Sequence, residues 1–251
     1  MKALSKLCVA VVVWTVLAPG AGAQLLVDPA GRAAPGGWQA GGGYQDFEAN
    51  YTVDTVYESL ATPDFSRKVY TLYAAYGVLP KLDVFLAAGL SDDLENSDHP
   101  AISGDGNVFG AGARGRLWEA NGFGVSAYGQ VSRMDESFSD ERVAHSSIGP
   151  NVNERDVEFT ALLVGALATY TIEGLTLFAG PEWLAWQDGD YDYKTTLEDG
   201  SVYSEDTLGI ERSDEFGLRA GARYNFASLW AWAGFASGHE DSWVLGVGGD
   251  F

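Results

Sequence analysis

The feature that most limits what this chain can become is a period of two. From Trp38 to the C-terminus, ten segments of roughly ten residues carry apolar side chains at every second position. They lie near 37–47, 67–79, 82–91, 107–118, 123–133, 157–172, 175–186, 214–226, 229–237 and 242–251. In the third, Leu82, Val84, Leu86, Ala88 and Leu90 share a face. In the fifth, Phe123, Val125, Ala127, Gly129 and Val131 stand opposite Ser126, Tyr128, Gln130 and Ser132. The eighth sets Phe216, Leu218, Ala220, Ala222 and Tyr224 against Arg219, Gly221 and Arg223. A period of two sends one set of side chains to each face of a sheet, so an all-β chain is predicted. The segments at 157–172, 175–186 and 229–237 are apolar on both faces, which leaves their register open.

The connections alternate as regularly as the strands. Short turns fall at Pro80-Lys81, Glu119–Gly122, Glu173-Gly174 and Ala227-Ser228. Between them come long polar connections at 48–66, 92–106, 134–156 and 187–213, with a shorter fifth at 238–241. Most of the 35 acidic residues lie in these five connections. In an up-and-down meander they share one end, so one rim is long-looped and anionic and the other short and nearly bare. A formal net charge of −20 argues against a nucleic-acid partner, because phosphate binding needs clustered cations.

Residues 1–23 have the layout of an export signal peptide. Lys2 and Lys6 precede an apolar run from Leu7 to Leu17, and Ala21-Gly22-Ala23 forms a cleavage site before Gln24. The run is too short for a helix that crosses a bilayer, which needs about 20 residues. The one cysteine, Cys8, lies inside this segment, away from the position of a lipidated N-terminal cysteine. The exported chain therefore offers no disulfide, thiolate metal site or cysteine nucleophile.

An antiparallel sheet that closes on itself pairs every backbone N–H and C=O, so it can stand in hydrocarbon with an apolar outer face and a polar inner one. The last strand, Trp243-Val244-Leu245-Gly246-Val247-Gly248-Gly249-Asp250-Phe251, alternates apolar residues and ends on an aromatic; Gly249 stands where an apolar side chain is usual. Tyr76-Gly77-Val78-Leu79-Pro80-Lys81-Leu82-Asp83-Val84 is similar to the strand, tight turn, strand junctions of small barrels. On these segments the chain resembles the outer-membrane β-barrel proteins of Gram-negative bacteria over residues 37–251. The resemblance implies a transmembrane antiparallel up-and-down β-barrel of ten strands, with eight or twelve left open, and with both ends in the periplasm. Residues 24–36 become a short periplasmic lead-in. Trp243, Leu245, Val247 and Phe251 become the signal read by the barrel-assembly machinery, and outer-membrane lipid and lipopolysaccharide become the surrounding partners. The aromatic girdles would include Trp38, Tyr44, Tyr70, Tyr76, Phe123, Tyr170 and Phe226. A secreted soluble β-sandwich is the competing architecture, and it predicts polar exposed faces with loops of similar length at both ends.

On the face opposite the apolar one lie Asp83, Arg114, Arg116, Arg219 and Arg223, joined by Glu158 and Glu182 as candidate lumen or pore-lining residues. Charges taken out of water need partners, so this set would form either a salt-bridged plug or the lining of a small aqueous pore. The first functional reading is a small porin-like channel for polar or ionic solutes. The second is a structural or surface-interaction barrel with acidic loops and no open pore. The third is a barrel hydrolase: His145-Ser146-Ser147, followed by Glu158, is similar to the His/Ser pair of lipid A deacylases, although it lies in a loop beside Gly149-Pro150. The other histidines, His99 and His239, also fall in loops. The Asp-x-His of omptin-type barrel proteases does not occur. No catalytic residue or cofactor is assigned, and the expectation is a non-enzyme. The run Asp188-Gly189-Asp190-Tyr191-Asp192 alternates acids as calcium loops do, but Tyr193 and Asp199 stand where such a loop needs Gly and Glu. The acidic loops suit weak binding of divalent cations and no specific metal site.

Overall fold

A computed structural model describes residues 27–53, 64–96, 103–142, 151–212, 215–238 and 241–251. Its strands are β1 (Trp38–Val53), β2 (Asp64–Leu79), β3 (Leu82–Asn96), β4 (Ser103–Ala120), β5 (Phe123–Arg142), β6 (Asn151–Ile172), β7 (Leu175–Leu197), β8 (Val202–Arg212), β9 (Phe216–Phe226), β10 (Leu229–Ser237) and β11 (Asp241–Asp250). Ten of them form a closed antiparallel wall in which each strand pairs with the next, and β1 pairs with β11. The eleventh, β8, is the returning arm of a hairpin with β7; it meets β1 only at Tyr51–Val53. The seam is fastened at its base, where Trp38 and Phe251 exchange backbone hydrogen bonds of 2.8 and 3.0 Å.

Each hairpin at one end turns in two residues. Asn121 and Gly122, like Glu173 and Gly174, all have positive φ, the conformation that matches the right-handed twist of the strands they join. The apolar row of every clear strand faces outward: Leu72, at 73% exposure, stands with Leu86, Leu90, Phe109, Leu218 and Leu245 on the open surface. A continuous band of this kind would drive aggregation in water, and in hydrocarbon it faces its natural solvent. This rules out the soluble sandwich. Aromatic pairs edge the band on both sides. Trp38–Tyr76 (4.9 Å), Phe123–Tyr170 (4.6 Å) and Tyr224–Phe226 (4.5 Å) lie near the short turns, and Tyr44–Tyr70 (5.2 Å), Tyr44–Trp243 (5.1 Å) and Trp183–Phe216 (6.0 Å) lie toward the hairpins.

The long polar connections are in large part strand, contrary to the reading from periodicity. β5 runs to Arg142 and β6 starts at Asn151, while β7 continues to Leu197 and returns as β8. Above the hydrocarbon both faces of a strand meet water, so the apolar period vanishes although the ladder goes on. β6 and β7 have 22 and 23 residues, about twice what a bilayer needs. Their outer halves project roughly 30 Å, from ~3.3 Å per residue at a ~40° tilt. At the β7–β8 tip, Asp199 accepts hydrogen bonds from the Ser201 Oγ (2.6 Å) and backbone N–H (2.9 Å), which hold its carboxyl below the usual carboxylate range.

Leu86→Arg, in the middle of the band, is expected to lower the unfolding free energy in phospholipid vesicles by about 2–4 kcal/mol. Asp190→Arg, exposed on the outer half of β7, is expected to change it by less than about 0.5 kcal/mol. Denaturant midpoints of the two variants check this, and small effects at both positions would contradict a lipid-facing band.

Candidate functional site

The inward row of the wall is a packed core. Phe47, Phe85, Phe159, Phe178, Leu163, Leu167, Trp230 and Trp232 point inside and are buried. Trp230 stacks on Tyr73 at 5.9 Å, and the Arg223 guanidinium lies over the Trp230 ring at 4.7 Å.

Ahead of β1 the chain turns back into the barrel through its short-turn mouth. Gly36 donates to the Gly77 carbonyl at 2.8 Å, and Val27, Asp28 and Ala33 are buried to 1% or less. Of the stretch read as a short periplasmic lead-in, Val27–Gly31 and Ala33 are buried as a plug in the mouth, while Arg32 and Ala34–Gly36 are exposed at its rim. The plug's anchor is Asp28. The Asp28 carboxylate accepts a hydrogen bond from Arg223 Nη1, and its carbonyl accepts one from Arg114 Nη1. Arg114 also donates from Nε to Asp83 Oδ2 (3.0 Å) and from Nη2 to Gln39 Oε1 (2.5 Å), while the Ala33 N–H donates to the same Asp83 oxygen at 2.9 Å. Two buried guanidiniums and two buried carboxylates therefore neutralise one another across β3, β4, β9 and the plug, which offsets a desolvation cost of several kcal/mol per ion. Gly31 packs directly against this network: a Cβ there would lie 2.5 Å from Arg223 Nη1, 2.6 Å from Arg114 Nη1 and 2.7 Å from Asp28 Oδ2, so a larger residue would have to displace the paired side chains.

Further up the lumen Glu182 accepts hydrogen bonds from Arg219 Nε (2.5 Å) and from the Tyr128 hydroxyl. Nearer the hairpins Arg67 Nη1 donates to Glu136 Oε1 at 2.7 Å, and the Arg67 guanidinium sits over Phe47 at 4.3 Å. Ion pairs and aromatic rings thus fill the axis at three levels. Of the candidate lining residues, Asp83, Arg114, Glu182, Arg219 and Arg223 meet inside the wall and are buried. Arg116 lies at the short-turn rim, part-exposed and paired with Glu119 at 2.8 Å. Glu158 is the exception: it lies on the outer surface with its side chain 54% exposed and binds Arg133 Nη2 at 2.9 Å. Val157 and Phe159 take the inside of β6, and at that height the outer face meets water, where a carboxylate is stable.

Periodicity gave no warning of Asp28, which lies in an aperiodic stretch, or of Arg67 and Glu136, which sit where the apolar alternation fades. Tyr128 did have a signal, as the one ring on the polar face of 123–133. Trp243, Leu245, Val247 and Phe251 lie exposed along the closing strand. Asp188, Asp190 and Asp192 are spread along the exposed face of β7 rather than curled around a point. Among the described residues no group of three or more His, Cys, Asp or Glu side chains converges as a metal site. His99, His145, Ser147 and His239 lie outside the described residues.

With Cys8, the only cysteine of the sequence, replaced by serine, Ala30→Cys leaves a single thiol, inside the plug. In the otherwise unaltered protein its reaction with a maleimide is expected to be slow. Adding Asp28→Ala strands Arg223 beside a missing carboxylate, a loss on the order of 3–5 kcal/mol, and labelling is expected to become fast. Equal labelling rates in the two proteins would contradict a seated plug.

Neither a family model nor a characterised protein sequence matches the chain. Solved structures do. The outer-membrane protease OmpT from Escherichia coli superposes with a TM-score of 0.55 at 11% identity, over 89% of this chain and 99% of that one. The translocator domain of the autotransporter NalP from Neisseria meningitidis gives 0.47 at 13% identity, over 86% and 90%. An outer-membrane channel from Pseudomonas putida F1 gives 0.46 at 15%, over 90% and 100%. With its closed ten-stranded antiparallel wall and lipid-facing apolar band, the chain has the fold of the outer-membrane β-barrel proteins.

Proposed function

We propose that the protein is a closed barrel of the outer membrane, a structural and surface-interaction element with no open pore. The observation that carries this reading is the filled lumen. The porin-like channel drew its support from inward arginines, and here Arg114, Arg219 and Arg223 each have a carboxylate partner in Asp83, Glu182 and Asp28. Packed rings occupy the space between these pairs. A hydrolytic reading has less support: the likeness to the protease extends to the fold, and Glu158 stands outside the wall, away from any lumen chemistry.

On this reading residues 1–23 direct export and are removed, and the C-terminal strand guides assembly. The short turns and both ends face the periplasm. The tall β5–β6 and β7–β8 hairpins then present acidic surfaces to the outside, where they attract cationic solutes and surfaces at low salt and lose that attraction as screening rises.

Reconstituted in a planar bilayer, the wild-type protein is expected to leave the lipid baseline unchanged, with no stable conductance steps at moderate voltage. A reproducible unitary conductance in the wild-type protein would overturn the closed reading and return the channel to first place.

A further inference from the structure

Two cations of the short-turn rim stand without a counter-charge. Arg32, at the exposed edge of the plug, and Lys81, exposed in the β2–β3 turn, form no hydrogen bond or ion pair among the described residues. Arg116 stands beside them at the end of β4, its side chain 18% exposed, and binds Glu119 at 2.8 Å. That hydrogen bond, with the charges of Arg116, Arg32 and Lys81 around it, holds the Glu119 carboxyl below the usual carboxylate range. Three cations thus share one carboxylate, on a chain whose formal net charge is −20. The other acids of this rim lie elsewhere: Glu173 is in the β6–β7 turn, and Asp250 is at the seam, where it accepts from Gln39 Nε2 at 2.8 Å.

Between the plug and the wall lies a cavity of about 10 Å³, room for one atom the size of a water oxygen. Pro29, Gly31 and Arg32 line it on the plug side, and Arg114, Arg116 and Ser126 line it on the wall side. It is inside the ring: Ser126 stands opposite Arg116 in register, on the row of β5 that continues inward through Tyr128 and Gln130. Ser126 is 9% exposed, and its hydroxyl has no hydrogen-bond partner among the described residues. Arg114 is held in place by Asp83, Gln39 and the Asp28 carbonyl, so one wall of the cavity is fixed. A nearly buried hydroxyl without a partner and an unpaired guanidinium on the same small cavity call for an acceptor that carries negative charge.

We propose that this cavity receives a carboxylate group from the water on the short-turn side, the periplasm in the orientation given above. One carboxylate oxygen enters the cavity and accepts from the Ser126 hydroxyl. The other lies against the Arg32 and Arg116 guanidiniums, and Lys81 adds charge at the lip. Shape decides the class of anion. Pro29 and Gly31 close the cavity on the plug side, so a flat group enters edge-on, whereas a tetrahedral phosphate carries further oxygens into the plug. Position decides against a lipid headgroup, because Ser126 and Arg116 belong to the inward rows and the wall stands between them and the bilayer. The carboxylate has two sources, a free small ion and the C-terminal end of a peptide.

The test titrates isotope-labelled probes onto the full barrel in zwitterionic micelles at constant ionic strength, read as NMR line broadening of the probe. The probes are acetate, acetyl-diglycine, acetyl-diglycine amide and inorganic phosphate. Saturable binding of the carboxylates is expected, with a dissociation constant on the order of 1 mM. The amide, which lacks the charge, and phosphate are each expected to bind at least about tenfold more weakly. Ser126→Ala alters no charge and is expected to weaken carboxylate binding roughly fivefold. Arg32→Gln combined with Lys81→Gln is expected to weaken it roughly tenfold, and both side chains are exposed, so the fold does not depend on them. A heat-dependent gel shift in each variant confirms a folded barrel. Tighter binding of acetyl-diglycine than of acetate assigns the site to a chain end, and acetate binding as well or better assigns it to a free ion; either result supports the site. Unchanged affinity in Ser126→Ala would reduce the effect to the general charge of the rim and overturn the proposal. Phosphate binding as tightly as acetate, or no saturation by about 50 mM, would overturn it too. These readings are independent of conductance, so the carboxylate site and the closed lumen stand or fall separately.

Discussion

A backbone that crosses hydrocarbon must satisfy every N–H and C=O within itself, and in a sheet only closure does so. The pairing of β1 with β11 is where this chain meets that condition, from Gln39 with Asp250 up to Glu48 with Asp241. The other features of the molecule follow from the ring being shut. A closed wall has one face toward lipid and one toward itself, so side chains sort by parity. The outer row becomes Leu, Val, Phe and Ala, and the inner row collects every group that lipid would reject.

The inner face carries the second problem. Ten strands enclose a space narrow enough for side chains to fill it, and the arginines placed there cannot be left in a dry core without counter-charge. The fold answers this with carboxylates from β3 and β7 and with Asp28, brought in on a segment that belongs to no strand. Aromatic rings fill the remaining volume and serve the cations as well, with Arg67 over Phe47 and Arg223 over Trp230. The interior thus resembles a soluble protein's core with its charges paired, and the exterior carries the apolar surface such a protein would hide.

How far the chain could be read from its residues tracks how strongly lipid constrains them. Where hydrocarbon lies on one side, as at Leu82–Leu90 or Phe216–Phe226, parity alone assigns each side chain to a face. That is why Asp83, Arg114, Arg219 and Arg223 were legible as inward groups. Glu158 was misplaced because β6 is apolar on both faces, so its register had no sequence signal, and because the carboxylate lies above the band, where lipid no longer excludes it. The same loss of constraint made the upper halves of β5, β6 and β7 look like loops. The plug was invisible for a different reason: a stretch with Pro29, Gly31 and Pro35 has no period, and its place is dictated by partners far along the chain.

The separation of those partners bears on the order in which the molecule assembles. Asp28 and Arg223 are 195 positions apart, and Asp28 and Arg114 are 86 apart. Joining ends so distant has a large entropic cost before any contact repays it, so neighbouring hairpins form first and the long-range contacts come late. The pocket that receives Asp28 needs residues of β1, β3, β4 and β9 already in place, which makes the plug the last piece to seat. Once seated, it ties the first strand's approach to the strands nearest the seam. It must be withdrawn before the seam can part from below, so its effect should be felt chiefly in how slowly the finished ring comes undone.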